Sequence, residues 1–173
     1  MSELTPVPVS KTAAETVQIM TQLHANGIGN VHGGVIMREV DNTAALAAPR
    51  LTGRVCVTAA IDELSFLGPV QVGELLVVKA TVNAVGRTSM EVGVRVEAEG
   101  WNTPERRHTT TAYLTFVALD DDGQPAEVPQ LVCETDEDRR RNAQALIRRD
   151  VRRDRIAKVG SWRPERYPVD GEG

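Results

Sequence analysis

Aromatic residues, cysteines and long apolar runs are all scarce in this chain of 173 residues. Aromatic side chains make up 3% of the sequence, so a core drawn from its 41% of hydrophobic residues must be mainly aliphatic. The two cysteines, Cys56 and Cys133, fit no C-x-x-C spacing, which favours two buried thiols over a disulfide framework or a redox pair. No apolar run approaches the roughly 18 residues of a membrane-spanning helix.

The net charge of the chain and its first ten residues indicate which partners and which cellular compartment to expect. The net charge of −4 gives no general reason to expect nucleic acid or an anionic membrane as a partner. Residues 1–10 have neither the basic region nor the apolar core of a signal peptide, so we expect a cytoplasmic protein. The three histidines lack the spacing of a metal site, and no metal is expected.

The most informative stretch is residues 26–41, in which two glycines precede an aspartate at helical spacing. The first turn of a helix has backbone N–H groups without internal partners, and Gly33 and Gly34 have no side chain to keep a substrate oxygen away from them. Asp41 lies just over two turns further on. This spacing allows an oxyanion donor and a carboxylate base or nucleophile to face one substrate carbonyl.

Asp41 also has structural interpretations. Burying its carboxylate beside Met37 and Ala45 would cost several kcal/mol unless it is paired, which favours a functional role. The alternatives are that Asp41 caps a helix starting later, at Asn42, or that it pairs with Arg38 at the surface.

The order of predicted elements indicates an α+β protein. A strand over 11–21 and a loop over 24–32 lead into a helix over 34–48, where Pro49 is expected to stop it. Strand-like segments follow at 54–67, 74–85, 89–98 and 107–119, with a turn at 120–123. In the third of these segments, valines alternate with polar residues and glycine, which predicts one buried and one solvated face.

The composition changes at residue 135. Three acidic residues open a predicted helix over 135–160, which is basic overall, with nine Lys or Arg against five Asp or Glu. We expect it to dock through an apolar stripe made of Ala143, Leu146, Ile147 and Val151. The predicted organisation is one domain over 1–134, this basic helix, and a disordered tail over 161–173.

Residues 12–130 resemble the hotdog-fold acyl-CoA thioesterases. The resemblance begins with Asn-x-x-Gly-x-x-His-Gly-Gly and an Asp eight residues after the first Gly of the pair, filled here by Asn26, Gly29, His32, Gly33, Gly34 and Asp41. It continues in order through Val57-Thr58, 65–70, 72–74, 85–90, 111–120 and 128–129. The resemblance implies a hotdog fold, in which a curved antiparallel sheet wraps one central helix.

The resemblance also implies an activity, the hydrolysis of acyl-CoA thioesters. Asp41 would act as general base toward water or as nucleophile through an acyl anhydride, and both remain open. The amide of Asn26, with the backbone N–H of Gly33 or Gly34, would polarise the carbonyl.

Three polar residues near this site have competing interpretations. Asn26 precedes a glycine, which is also typical of a turn. Asn30 competes with Asn26 for the amide role. His32 is a candidate general acid, although a structural role bracing the Gly-Gly turn is favoured.

In the resembling family, the turn formed here by Gly86, Arg87, Thr88 and Ser89 lies near the coenzyme A phosphates. An Arg with hydroxyls and a flexible Gly suits a phosphate, although a plain hairpin turn would look similar. The arginines of the basic helix could add to coenzyme A binding through Arg148, Arg149, Arg152 or Arg153. A solvated helix face or a subunit contact is the alternative for this helix. No cofactor is expected, because coenzyme A is part of the substrate.

The resemblance also implies an assembly. In the family the acid and the amide come from different subunits, so a dimer is the minimal active unit, and hexamers built as trimers of dimers also occur.

Two rival functions remain. One rival is a hotdog dehydratase acting on hydroxyacyl thioesters, for which His32 and Asp41 are the only candidate pair. The other is a non-catalytic acyl-CoA sensor, with the basic helix on nucleic acid.

Overall fold

One long helix on one face of an antiparallel sheet, and a second long helix on the other face, form the fold. The computed structural model describes residues 4–159. In chain order the elements are β1 Val7–Pro8, α1 Val9–Thr12, β2 Ala14–Ile19, a 3-10 turn Gln22–His24, α2 Gly33–Thr52, β3 Cys56–Phe66, β4 Leu75–Val85, β5 Ser89–Gly100, β6 Thr103–Ala118, β7 Leu131–Val132 and α3 Asp136–Val159. No helix among these residues is both long enough and apolar enough to cross a membrane.

The sheet has the order β2–β4–β5–β6–β3, with every pair antiparallel. Strands β2 and β3 are therefore its two edges, while β1 and β7 pair separately in parallel. Helix α2 contacts all five strands. The predicted α+β class, with one helix covered by an antiparallel sheet, is confirmed.

The core lies between α2 and the sheet and is built from small and aliphatic side chains. Helix α2 contributes Ile36, Val40, Ala44, Ala47, Ala48 and Leu51, and the strands contribute mainly valines together with Leu114 and Phe116. The alanines let the helix backbone approach the sheet closely, which is how a chain with few aromatic residues fills its interior.

The end of α2 differs from the prediction. The helix continues through Pro49 to Thr52 and ends at Gly53, which has a left-handed φ of 65° and donates its N–H to the Pro49 carbonyl at 2.8 Å. Leu51, only 3% exposed, anchors the last turn in the core, and this burial offsets the hydrogen bond lost at the proline. The predicted strand over 11–21 is shorter as well, because α1 occupies its first residues.

The prediction of one solvated face on β5 is wrong at two glutamates. Glu91 and Glu97 point away from α2, yet they are only 7% and 8% exposed. Lys79 and Arg95 each donate to Glu97 at 2.8 Å, and an arginine of α3 covers Glu91. Basic side chains therefore cover both carboxylates on the outer face.

Glu97 should contribute acid-sensitive stability. Hydrogen bonds from Lys79 and Arg95 lower the pKa of Glu97 from 4.5 to about 2, against the opposing effect of burial. Because the folded-state pKa is depressed, this stabilisation is present above pH 4.5 and is lost as the pH falls toward 2. Glu97→Gln should lower the free energy of unfolding at pH 7 by about 2 kcal/mol. Urea titrations should show this difference shrinking between pH 4.5 and 2, and the exposed Glu105→Gln serves as control.

Helix α3 forms where predicted, but most of its predicted apolar stripe does not dock: Leu146 is half-buried, whereas Ala143 is exposed. Ile147 and Val151 are 64% and 63% exposed, whereas Arg148 and Arg152 point toward the sheet. The expectation failed because the outer sheet face offers buried carboxylates, and arginines pair with these better than apolar side chains could. The tail predicted to be disordered, residues 161–173, lies outside the described residues.

Candidate active site

The site begins at the N-terminus of α2, where His32 is the N-cap. Its Nδ1 accepts a hydrogen bond from the Gly34 N–H at 2.9 Å, which agrees with the bracing role favoured for this histidine. The Gly34 N–H is thereby occupied, so of the two predicted oxyanion donors only the Gly33 N–H has no acceptor among the described residues.

Gly33 also lies directly under an aromatic ring. A Cβ built at Gly33 would lie 3.3 Å from Cζ of Phe66, the last residue of β3. Phe66 is 50% exposed, so its ring packs against Gly33 while half of the Phe66 surface stays accessible. The absence of a side chain at this glycine is what allows the ring to approach.

Asp41 is held by a residue that the sequence did not single out for the site. It lies on α2, half-buried, and its Oδ1 accepts a hydrogen bond of 2.7 Å from the hydroxyl of Thr58 on β3. The two structural interpretations are wrong, because α2 begins at Gly33 and Arg38 binds Glu39 at 2.9 Å instead. Asp41 thus presents a carboxylate with one oxygen oriented by Thr58.

The two candidate amides lie in the loop before α2. Asn26 does fill a turn role, since its Oδ1 accepts from the N–H groups of Ile28 and Asn30 at 3.0 and 3.1 Å. The backbone of Asn30 is also bonded, to Asn26 at 2.7 Å and across a bridge to Gln71. The side-chain NH2 groups of both asparagines have no partner among the described residues, and within the chain no hydrogen bond joins either to Asp41.

The predicted phosphate turn is a tight hairpin between β4 and β5. The Gly86 N–H donates to the Ser89 carbonyl at 2.7 Å, and the Arg87 side chain is 79% exposed, with Glu127 no closer than 4.0 Å.

The hairpin and the Asp41 site lie at the same end of the sheet. The register aligns Thr58, Phe116, Met90 and Val85 in one row across four strands. At roughly 4.8 Å per strand, the hairpin lies about 14 Å from Thr58.

Thr58 is a candidate site residue that the sequence did not identify. Its hydroxyl reaches Asp41 only because β3 pairs with β6 in the observed register, a contact between residues far apart in the chain. The Val57-Thr58 pair, as one piece of the family resemblance, was the available signal.

The groups of this site are of the kinds that acyl transfer requires. An oriented carboxylate, an unpaired amide and an unpaired helix N-terminal N–H supply a base or nucleophile and donors for an oxyanion. Among the described residues, no three His, Cys, Asp or Glu side chains are grouped as metal ligands would be.

Comparison with known proteins gives consistent matches. The profile of the thioesterase superfamily matches residues 28–104. Acyl-coenzyme A thioesterase 11 of Mus musculus is 43% identical over 150 residues, which are 86% of this chain but only 25% of the mouse protein. An uncharacterized acyl-CoA thioester hydrolase of Bacillus subtilis, YkhA, is 38% identical over 77% of each chain.

Solved structures agree with these matches. An apo-hexameric acyl-CoA thioesterase superposes with a TM-score of 0.86 at 35% identity, over 89% of this chain and 99% of the other. The acyl-CoA hydrolase of Staphylococcus aureus, solved with butyryl coenzyme A and coenzyme A, superposes with a TM-score of 0.84 at 30% identity, over 90% and 94% of the two chains. That hydrolase has also been solved as alanine variants of an asparagine, an aspartate and a threonine.

Proposed function

Because this chain belongs to the acyl-CoA thioesterases of the thioesterase superfamily, we propose that it hydrolyses acyl-CoA thioesters to a free carboxylic acid and coenzyme A. The predicted family is confirmed by these similarities, and it makes the protein a thioester hydrolase. The observation that carries the proposal is the Asp41 carboxylate, which Thr58 of β3 orients. Asp41 lies on α2, the helix whose N-terminal Gly33 N–H has no acceptor among the described residues.

Three residues are assigned to the chemistry. Asn26, Asp41 and Thr58 follow one another at the same intervals as the asparagine, aspartate and threonine replaced in the Staphylococcus aureus hydrolase. Thr58 engages Oδ1 of Asp41 and leaves Oδ2 for the substrate side.

Either general-base or nucleophilic catalysis is compatible with this arrangement. As a base, Oδ2 of Asp41 would take a proton from water as the water attacks the thioester carbon. As a nucleophile, it would attack that carbon itself, expel the coenzyme A thiolate and form an acyl anhydride that water then cleaves.

The developing oxyanion would be stabilised by neutral donors. The Gly33 N–H sits at the positive end of α2, and the Asn26 NH2 has no competing acceptor among residues 4–159. Because Oδ1 of Asn26 accepts from two backbone N–H groups of its own loop, the amide orientation is preset and the NH2 has no acceptor within the loop. Asn30, whose side chain fixes no turn, is the weaker candidate for this role.

Coenzyme A would bind between the acyl site and the hairpin at 86–89. The span of about 14 Å from Thr58 to this hairpin suits an extended ligand that carries a thioester at one end and phosphates at the other. Arg87 is almost free of intramolecular partners and can meet a phosphate without breaking a strong ion pair. By contrast, Arg148 and Arg152 of α3 are turned into the sheet, which argues against their binding coenzyme A.

Arg87→Ala should raise KM for acyl-CoA about ten-fold and change kcat little, because a phosphate contact is equally present in the ground and transition states. The effect should disappear with a short thioester that lacks the nucleotide. Steady-state kinetics on both substrates checks this, with Arg139→Ala on α3 as an exposed arginine control. An equal loss on both substrates would assign Arg87 to the fold or the chemistry.

The proposed active assembly is a dimer formed through the edge of β3. Among the described residues, β3 pairs only with β6, and its side chains Val57, Ile61 and Phe66 are each at least 41% exposed. A long unpaired apolar edge favours pairing with another strand. The loop of Asn26 carries the exposed Leu23 and Ile28, so a partner that covers this loop would bring Asn26 into a shared site. A trimer of such dimers would give a hexamer, the state of one solved relative.

The two rival functions receive less support. A dehydratase needs a His and an acid acting together, yet His32 Nδ1 is engaged by Gly34 and Asp41 is oriented by Thr58. A nucleic-acid-binding sensor would need free arginines on α3. Two of them pair with Glu91 and Asp62, and the three arginines at 139–141 pair with acidic residues of the same helix. A cytoplasmic location and the absence of a cofactor stay predictions.

Product analysis separates the three functions. The purified protein is incubated with saturated and 3-hydroxyacyl-CoAs of increasing chain length, and the products are identified by mass spectrometry. We expect free acids and coenzyme A from both classes of substrate. Enoyl-CoA as the main product would indicate a dehydratase, and saturable binding without any product would indicate a sensor.

A further inference from the structure

Helix α3 lies across the outer face of the sheet and makes contacts from β4 to the edge strand β3. Its polar contacts with the sheet are those of Asn142 and Arg149 with the Asn83 and Val85 carbonyls on β4, of Arg148 with Glu91 and the Tyr113 ring, and of Arg152 with Asp62 and Thr115. Only the last of these contacts reaches β3, the strand that carries Thr58.

Arg152 contacts β3 at an irregularity. Two β-bulges interrupt the pairing of β3 with β6: Ala59 is the extra residue in the first, and Asp62 is the extra residue in the second. The Asp62 carboxylate is held by the Arg152 guanidinium and by the Thr115 hydroxyl, the latter at 3.1 Å. The side chains of Asp62 and Arg152 are only 8% and 19% exposed.

The two bulges determine which face Thr58 occupies. In a regular strand, residues 58 and 62 would point to the same face, because side chains alternate with a period of two. Here Thr58 points to Asp41 on α2, whereas Asp62 points to α3 on the opposite face. If the bulge at Asp62 were lost while the end of β3 stayed in place, the register would slip by one residue and Thr58 would turn away from Asp41.

We propose that Arg152 is a positioning residue for thioester hydrolysis: by holding Asp62 in its bulge, it keeps Thr58 on the α2 side, where Thr58 orients the Asp41 carboxylate. The inference rests on the proposed function of Asp41. It gives the basic helix a role in catalysis that involves no contact with the substrate.

The inference predicts how the kinetics should change. Without the Arg152 contact, Thr58 donates to Asp41 for a smaller fraction of the time, so kcat should fall about ten-fold while KM for acyl-CoA stays nearly constant. Thr58→Val should produce the same fall in kcat, again with KM nearly constant, because it removes the same hydrogen bond to Asp41.

The test compares Arg152→Gln with a substitution of Arg148, an arginine of α3 that binds β5 and makes no hydrogen bond to β3 among the described residues. Arg148→Gln also removes a partly buried ion pair of α3, with Glu91, and should lower the melting temperature without lowering kcat. Arg155 is exposed, so Arg155→Gln should leave both the melting temperature and kcat unchanged. Arg152→Lys should recover part of kcat, because an ammonium group still pairs with Asp62. If Arg152→Gln does not fold, the isosteric Asp62→Asn carries the same comparison.

A double variant decides whether Arg152 acts through Thr58. In a Thr58→Val background, Arg152→Gln should lower kcat by less than two-fold, since the contact it supports is already gone. A full ten-fold further loss in that background, or an equal fall in kcat with Arg148→Gln, would overturn the positioning role. Hydrolysis by the wild-type protein would still stand in that case, whereas a wild-type protein without hydrolysis would contradict the proposed function itself.

Discussion

Asp41→Asn should lower kcat for acyl-CoA hydrolysis by about 10²–10⁴-fold while the protein still binds its substrate. The substitution is isosteric and retains a carbonyl oxygen that can accept the Thr58 hydroxyl, so the fold and the local geometry should survive. What it removes is the charge that, in the proposed mechanism, attacks the thioester carbon or takes a proton from water. Single-turnover thiol release measures the chemical step, and titration with a non-hydrolysable acyl-CoA analogue measures binding.

Glu39→Gln is the matched control for the loss of a negative charge on the same helix. Glu39 lies two residues before Asp41 and pairs with Arg38 at 2.9 Å, away from Thr58. We expect it to keep most of the wild-type kcat. An Asp41→Asn variant with near wild-type turnover would remove this carboxylate from the mechanism.

Mixing two inactive variants should restore activity if the site is shared between subunits. Asn26→Ala and Asp41→Asn are each expected to be nearly inactive, for want of the amide and of the carboxylate. After subunit exchange, a mixed dimer contains one site with both groups intact and one site with neither. About half of the mixed dimers' sites should then turn over at the wild-type rate.

The structure gives a local reason to expect this recovery. Within one chain no hydrogen bond joins Asn26 to Asp41, and the Asn26 turn fixes its side chain in its own loop. If each chain built its own site, every site in the mixture would still lack one group. Mass spectrometry shows whether mixed dimers have formed. If they form and activity does not rise, the shared site is ruled out, and the role of Asp41 is not affected.

The features predicted correctly from sequence are those fixed by neighbouring residues. Helix α2 starts with the two glycines at 33 and 34, and Asp41 follows two turns later. Both features depend on local sequence and helical spacing alone. Helix termination was predicted less well, because Pro49 is overridden by the burial of Leu51, and burial depends on the whole fold.

The features that the sequence did not reveal depend on contacts between distant segments. Thr58 meets Asp41 through a register that contains two bulges, and no local pattern predicts bulges at Ala59 and Asp62. The side of α3 that faces the sheet was predicted incorrectly for a similar reason: arginines face the sheet, and most of the predicted apolar stripe does not. Its arginines looked solvent-exposed until the fold placed Glu91 and Asp62, at 57 and 90 residues from their partners, on the face that α3 covers.

Hydrolysis in ¹⁸O-labelled water tests the central claim most directly. The purified protein is incubated with an acyl-CoA under multiple turnover, while free thiol is measured continuously and the acid is analysed by mass spectrometry. Both catalytic roles open to Asp41 predict one thiol released per acid formed, with one oxygen from water in each carboxylate. An intact thioester after saturable binding, or thiol release without a labelled acid, would contradict the assignment of this protein as an acyl-CoA hydrolase.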